Sequence, residues 1–148
     1  MRNILILPAL AFASLLLSFN KKTMAINDFQ NYGNENKMLD SAKWTLTRIF
    51  NSDSFMQVSG TKAFIRFNSS EGRINGNGSC NSFGGKLSVD GNSLKLGNIF
   101  STKMYCNEVQ AIENEFFSQL QKVTGYTINE KKLILFNGDD AVLEFEAG

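Results

Sequence analysis

The residues of this 148-residue chain that could do chemistry are few, and histidine is not among them. Without imidazole, neither a Ser-His-Asp nor a Cys-His arrangement can be assembled, nor a His-rich zinc site. What remains is a thiol, some carboxylates and a glycine cluster. Cys80, one of two cysteines, would be a redox or nucleophilic group if Lys103 lay close enough to hold it as a thiolate; a structural half-cystine is the favoured reading. Glu113 and Glu115 are acid-base candidates by type, but two residues apart on a helix they occupy different faces, and both are expected as surface charge. Asp139 and Asp140 beside Asn137 would hold calcium only feebly, because oxygen-ligand loops supply more carboxylates at alternating positions; a solvated turn is expected. Gly76, Asn77 and Gly78 begin like a dinucleotide fingerprint, yet Asn81 takes the third glycine's place and no strand-helix-strand unit surrounds it. A turn with positive φ or a close backbone approach explains them instead. These residues specify no reaction, so the protein is expected not to be an enzyme and to need no cofactor or metal.

The two cysteines acquire meaning from the compartment. Residues 4–19 form an apolar run behind Arg2, short of the ~20 residues of a comfortable membrane span, and read as a secretory signal peptide. Cleavage is expected after Ala25, with an uncleaved anchor as the alternative. No cysteine directly follows the apolar run, so a Cys-anchored lipoprotein is not expected. The chain then divides into a signal peptide (1–25), a flexible polar lead-in (26–42) and one domain (43–148), destined for the periplasm or cell envelope. In an oxidising compartment an even cysteine count favours a Cys80–Cys106 disulfide over two packed free thiols. The loop closed would be some 26 residues, for which chain entropy gives roughly 3.5 kcal/mol. Removal of the leader leaves twelve Lys/Arg against fourteen Asp/Glu, a near-neutral domain without the basic clustering that nucleic acid demands. A monomer with no span in the mature chain is expected, its partner an unidentified envelope protein or surface.

The elements around these residues are mostly strands. Trp44 to Thr47 alternates apolar residues with threonine, and residues 51–61 read as a loop. Ala63, Ile65 and Phe67 share one face of a second strand, which turns at Gly72 into Arg73, Ile74 and Asn75. Phe83 to Val89 and Leu94 to Leu96 flank an Asp90-Gly91-Asn92 turn. Asn107, with Gln110 three residues on, is the expected helix N-cap. Val109, Ile112, Phe116, Leu120 and Val123 make one helical stripe ending at Gly125. Three short strands follow, around Tyr126, Lys132 to Phe136 and Ala141 to Glu146, with Leu143 and Phe145 inward and Glu144 and Glu146 toward water. Leu133 to Phe136 is apolar on both faces, one face for the interior and the other to support the helix. The sum is a mainly β (β-rich α+β) fold: a small curved antiparallel sheet or eight-stranded barrel, with one helix between strands five and six. Such a barrel could also carry a small apolar ligand. Phe50, Phe55 and Phe117 fall outside the core pattern, and together they would mark an interaction patch if exposed.

The order of motifs resembles the META domain family, that of an HslJ-like bacterial heat-shock protein. The resemblance is carried by Trp44 and Leu46, then Gly76, Ser79, Cys80, Asn81, Phe83 and Gly85, then Thr102, Lys103, Met104 and Cys106, and in the helix by Glu113, Phe116 and Leu120. Leu87, where the family usually has an aromatic, and Tyr105, where a small residue is usual, depart from it. The resemblance implies a compact β-rich domain with one helix, found in exported or envelope-attached proteins and associated with stress and novobiocin tolerance. It implies no enzyme chemistry.

Overall fold

The computed structural model describes residues 37–52, 54–58 and 60–148, so the expected leader and residues 26–36 of the lead-in lie outside it. Nine strands and one helix follow in order: β1 (Trp44–Asn51), β2 (Ser54–Gln57), β3 (Phe64–Asn68), β4 (Arg73–Asn77), β5 (Ser82–Asp90), β6 (Ser93–Ser101), α1 (Gln110–Leu120), β7 (Gly125–Asn129), β8 (Lys132–Asn137) and β9 (Asp140–Ala147). Every pairing is antiparallel, and β9 returns to pair with β1 from Trp44↔Ala147 to Ile49↔Leu143. The sheet is therefore a closed ring. Short turns make this meander possible; Gly72, Gly91 and Gly138 supply positive φ at three of them.

Period-two alternation fills the ring. Ala63, Ile65 and Phe67, then Leu133 and Leu135, then Leu143 and Phe145 point inward to one cluster with Trp44, Leu46 and Leu94. In β1 the register slips at Thr47, which has no partner opposite β9, so the inward set shifts from Trp44 and Leu46 to Ile49. The closure is uneven. β6 meets β7 only at Ser93↔Gly125, and this is the connection into which α1 is inserted. Phe116 fills the interior there, its ring 5.6 Å from that of Phe83 and 6.3 Å from that of Phe145.

Several expectations change. Residues 54–57 within the expected loop form β2, hairpinned onto β1 beyond the reach of β3, which moves the helix to a place between the sixth and seventh strands. β6 runs on to Ser101. Residues 37–41, assigned above to the flexible lead-in, are a helical turn: Leu39 is 0 % exposed and its carbonyl accepts the Trp44 indole N–H at 2.9 Å. The helix N-cap is Val109 with no side-chain cap, because Gln110 accepts instead from the Cys106 N–H (3.4 Å) while Asn107 faces the Tyr105 hydroxyl. The helix ends at Leu120, before Gly125. It rests chiefly on β9 and β1, and Ile134 on the outer face of β8 borders an open cleft instead of seating it. Glu144, expected in water, is covered by Arg48 (3.5 Å), Lys132 (3.6 Å) and the Thr47 hydroxyl (3.3 Å). No helix among the described residues is long and apolar enough to cross a membrane.

Candidate interaction site at the disulfide

Cys80 and Cys106 are bonded, with Cα atoms 5.9 Å apart. The bridge ties the β4–β5 loop to the segment entering α1. Cys80 is 7 % exposed and is no free thiol beside Lys103. Next to it, Asn81 spends every hydrogen-bonding position of its side chain. Its Oδ1 accepts from the Met104 N–H (2.7 Å) and the Thr102 hydroxyl (2.8 Å), and its Nδ2 donates to the Met104 carbonyl (3.0 Å) and to Glu113 Oε2 (2.6 Å). Glu113 Oε1 takes the backbone N–H groups of Cys80 (3.1 Å) and Asn81 (2.7 Å). Glu113 is thus not surface charge: it is 2 % exposed, a carboxylate satisfied by three donors. Glu115, half-buried, accepts from Gln119 at 2.6 Å and has no part in this network.

The glycines of this loop serve close approach. Neither Gly76 nor Gly78 has positive φ; the residue that does is Ser79, at φ 109°. A Cβ on Gly78 would stand 2.7 Å from Glu113 Oε1 and 2.9 Å from the Phe117 ring, so only glycine lets the carboxylate reach the loop amides.

Covalent and polar ties at its root hold residues 102–106 in place while their outer side chains face solvent. Phe100, Met104 and Tyr105 are 71, 59 and 76 % exposed. They border an open groove of about 670 Å³, with residues 99–105 on one side and Gln110, Asn114, Phe117 and Gln121 of α1 on the other. The Phe100 ring lies over Gly84, where a Cβ would come within 2.8 Å of it.

A family model described as "META domain" matches residues 37–147. The chain belongs to the META domain family. Among solved structures, this META domain is similar to the "NMR structure of the protein from Burkholderia xenovorans", at 23 % identity and TM-score 0.59, covering 76 % of this chain and 85 % of that one. It is similar also to a "duf4847 family protein from Bacteroides vulgatus ATCC 8482", at 14 % identity and TM-score 0.56 over 76 % of this chain and 96 % of that one. At these identities the likeness concerns the fold. No curated protein matches the chain.

Within the META domain, the motif residues separate by place. Cys80, Asn81, Thr102, Met104 and Cys106 converge on the node just described, while Ser79, with its N–H on Asn77 Oδ1, lines a different cleft. Gly76 backs against the Phe83 ring, and Gly85 lies at the irregular β5–β6 register beside Ile74 and Ile99. Trp44 and Leu46 belong to the core. Lys103 is exposed on the groove. Of the three phenylalanines singled out, Phe117 is partly buried 5.4 Å from the Phe83 ring, Phe50 is half-buried, and Phe55 is 57 % exposed under Arg48. Asn137 and Asp140 pair across the β8–β9 turn, with Asp139 exposed between them. In the sequence Phe100 breaks no pattern by itself, and Tyr105 is marked only by its departure from the family motif, which does not say that it is exposed. Alternation carried past Leu94 and Leu96 points Phe100 inward; the irregular β5–β6 register, with Asn98 at φ 48°, turns it to the outer face instead.

Proposed function

We propose that this META domain is an exported, non-catalytic interaction module of the cell envelope with a role in stress, and that its contact face is the groove bordered by Phe100, Met104 and Tyr105. The carrying observation is that these three large side chains stay exposed on a segment fixed at its root by the disulfide and by Asn81. A rigid apolar patch on a small domain favours a partner over water. The disulfide supports export, and the family resemblance supports the envelope and stress setting. The partner fits as an extended protein segment, because among the described residues β6 beyond Leu94 pairs with no strand on its β7 side and can accept an added one. The apolar-ligand alternative is less well supported, since Trp44, Leu94, Phe116, Leu133 and Phe145 occupy the ring interior. Thiol chemistry at Cys80 would first require breaking its bond.

Site-directed photo-crosslinking tests this reading. A photoreactive residue in place of Tyr105 should give a discrete adduct with an envelope protein. The adduct should fall roughly tenfold or more with Phe100→Ser and Met104→Ser, and the same probe at Thr127 should give none. Equal adducts at both positions, or none at Tyr105, would overturn the assignment.

A further inference from the structure

A second cleft, of about 640 Å³, shares no residue with the groove and opens beside the other face of the disulfide loop. Its walls include Lys43, Lys62, Thr61 and Ser79. Among the described residues, two buried side-chain polar atoms lack a hydrogen-bond partner, Thr61 Oγ1 and Ser79 Oγ, and both belong to this cleft. Buried hydroxyls are ordinarily paired, and the protein supplies no partner for these two, so both are free to donate to an acceptor that enters the cleft. The backbone of Ser79 is held at φ 109°, its N–H donating to Asn77 Oδ1 at 2.8 Å.

Two lysines and no carboxylate side chain line the cleft, and Gly148, its N–H on the Lys43 carbonyl at 3.0 Å, adjoins one edge. Lys43 Nζ rests 4.5 Å from the centre of the Phe64 ring, and the three ion pairs among the described residues use Arg48, Arg73 and Lys132, leaving Lys43 and Lys62 without a carboxylate. Residues 61–105 carry six Lys/Arg against two Asp/Glu, while residues 106–148 carry three against eight. Glu146, opposite Thr45 in register, stands across from Lys132 and borders a different cleft.

We propose that this cleft binds the oxyanion of a small ligand, a phosphate or carboxylate group. Lys43 and Lys62 supply charge, and the Thr61 and Ser79 hydroxyls turn outward to donate to it. Turning costs no hydrogen bond, because neither hydroxyl has one to give up. Bonds from ammonium and hydroxyl groups to an anion are the strong, short kind. The site is independent of the apolar groove and of any partner there.

The test is an NMR titration of the full-length, isotopically labelled protein with inorganic phosphate and, separately, with acetate, at constant ionic strength balanced by chloride. At least one anion should give saturable shifts centred on the amides of Thr61, Lys62, Ser79 and Cys80, and the tighter of the two assigns the group. Affinity should drop about tenfold or more in Lys43→Gln/Lys62→Gln and severalfold in Thr61→Val and Ser79→Ala. Thr61→Val should bind more weakly yet melt no lower than the parent, an outcome that a purely structural hydroxyl would not give. Linear shifts, shifts spread over all surface lysines, or full affinity in the double lysine variant would overturn the proposal.

Discussion

Asn81 is the residue whose loss has the clearest expected cost. Replacement by Ala frees the Met104 N–H and carbonyl, the Thr102 hydroxyl and one oxygen of a buried carboxylate. With ~1–3 kcal/mol for each buried group left unpaired and water repairing the outer ones, Asn81→Ala should lose about 3 kcal/mol in denaturant unfolding; a loss below ~1 kcal/mol would show the network to be ornamental. Glu113→Gln is a finer probe: one oxygen can still serve the two loop amides, but the new NH2 confronts Asn81 Nδ2, donor against donor. About 1–3 kcal/mol should be lost. The burial of Glu113 was legible in principle. It stands three residues before Phe116 and seven before Leu120, in phase with the apolar stripe, but its partners lie on a distant loop that the sequence alone does not bring against the helix.

At the level of elements, the disulfide and the Asn81–Glu113 node are two separate ties between the β4–β5 loop and α1. Cys80→Ser/Cys106→Ser should therefore cost no more than roughly 3.5 kcal/mol and leave the ring intact. Hydrogen exchange should quicken at residues 102–110 while β3, β4 and β8 keep their protection; uniform loss of protection would instead make the bridge a condition of the whole fold. Eight strands and the helix could be read from alternation, turns and period, but β2 could not. Ser54 to Gln57 is exposed throughout, so it has no inward set to betray it. It exists because β1 extends past the end of β3 and offers a free edge, with Phe55 lying 6.3 Å from Phe50 and under Arg48. Glu144 departs from expectation for a related reason: alternation correctly points it outward, and long side chains from two neighbouring strands then cover it.

The described domain is closed by its first and last strands. β1 and β9, almost a hundred residues apart, pair over five register positions, a contact whose loop-closure cost is met late, so folding on the millisecond-to-second scale is expected by stopped-flow. A chain ending at residue 139 loses β9 and with it the partner of both β1 and β8, and should show no cooperative unfolding. At the other end, Leu39 belongs to the folded unit, so Leu39→Ala should cost about 2–5 kcal/mol and a chain starting at residue 43 should melt earlier than one starting at 37. Ring closure was legible as a curved sheet, but the contribution of residues 37–41 was hidden in a polar stretch with a single leucine. The meeting of the ends has a mechanical corollary. Trp44 opposes Ala147 and the Gly148 N–H reaches the Lys43 carbonyl at 3.0 Å, so tension applied between the termini falls on one rung at a time and peels the barrel open like a zip. Held from only one end, as by an N-terminal tether, the same barrel would transmit no strain across that seam.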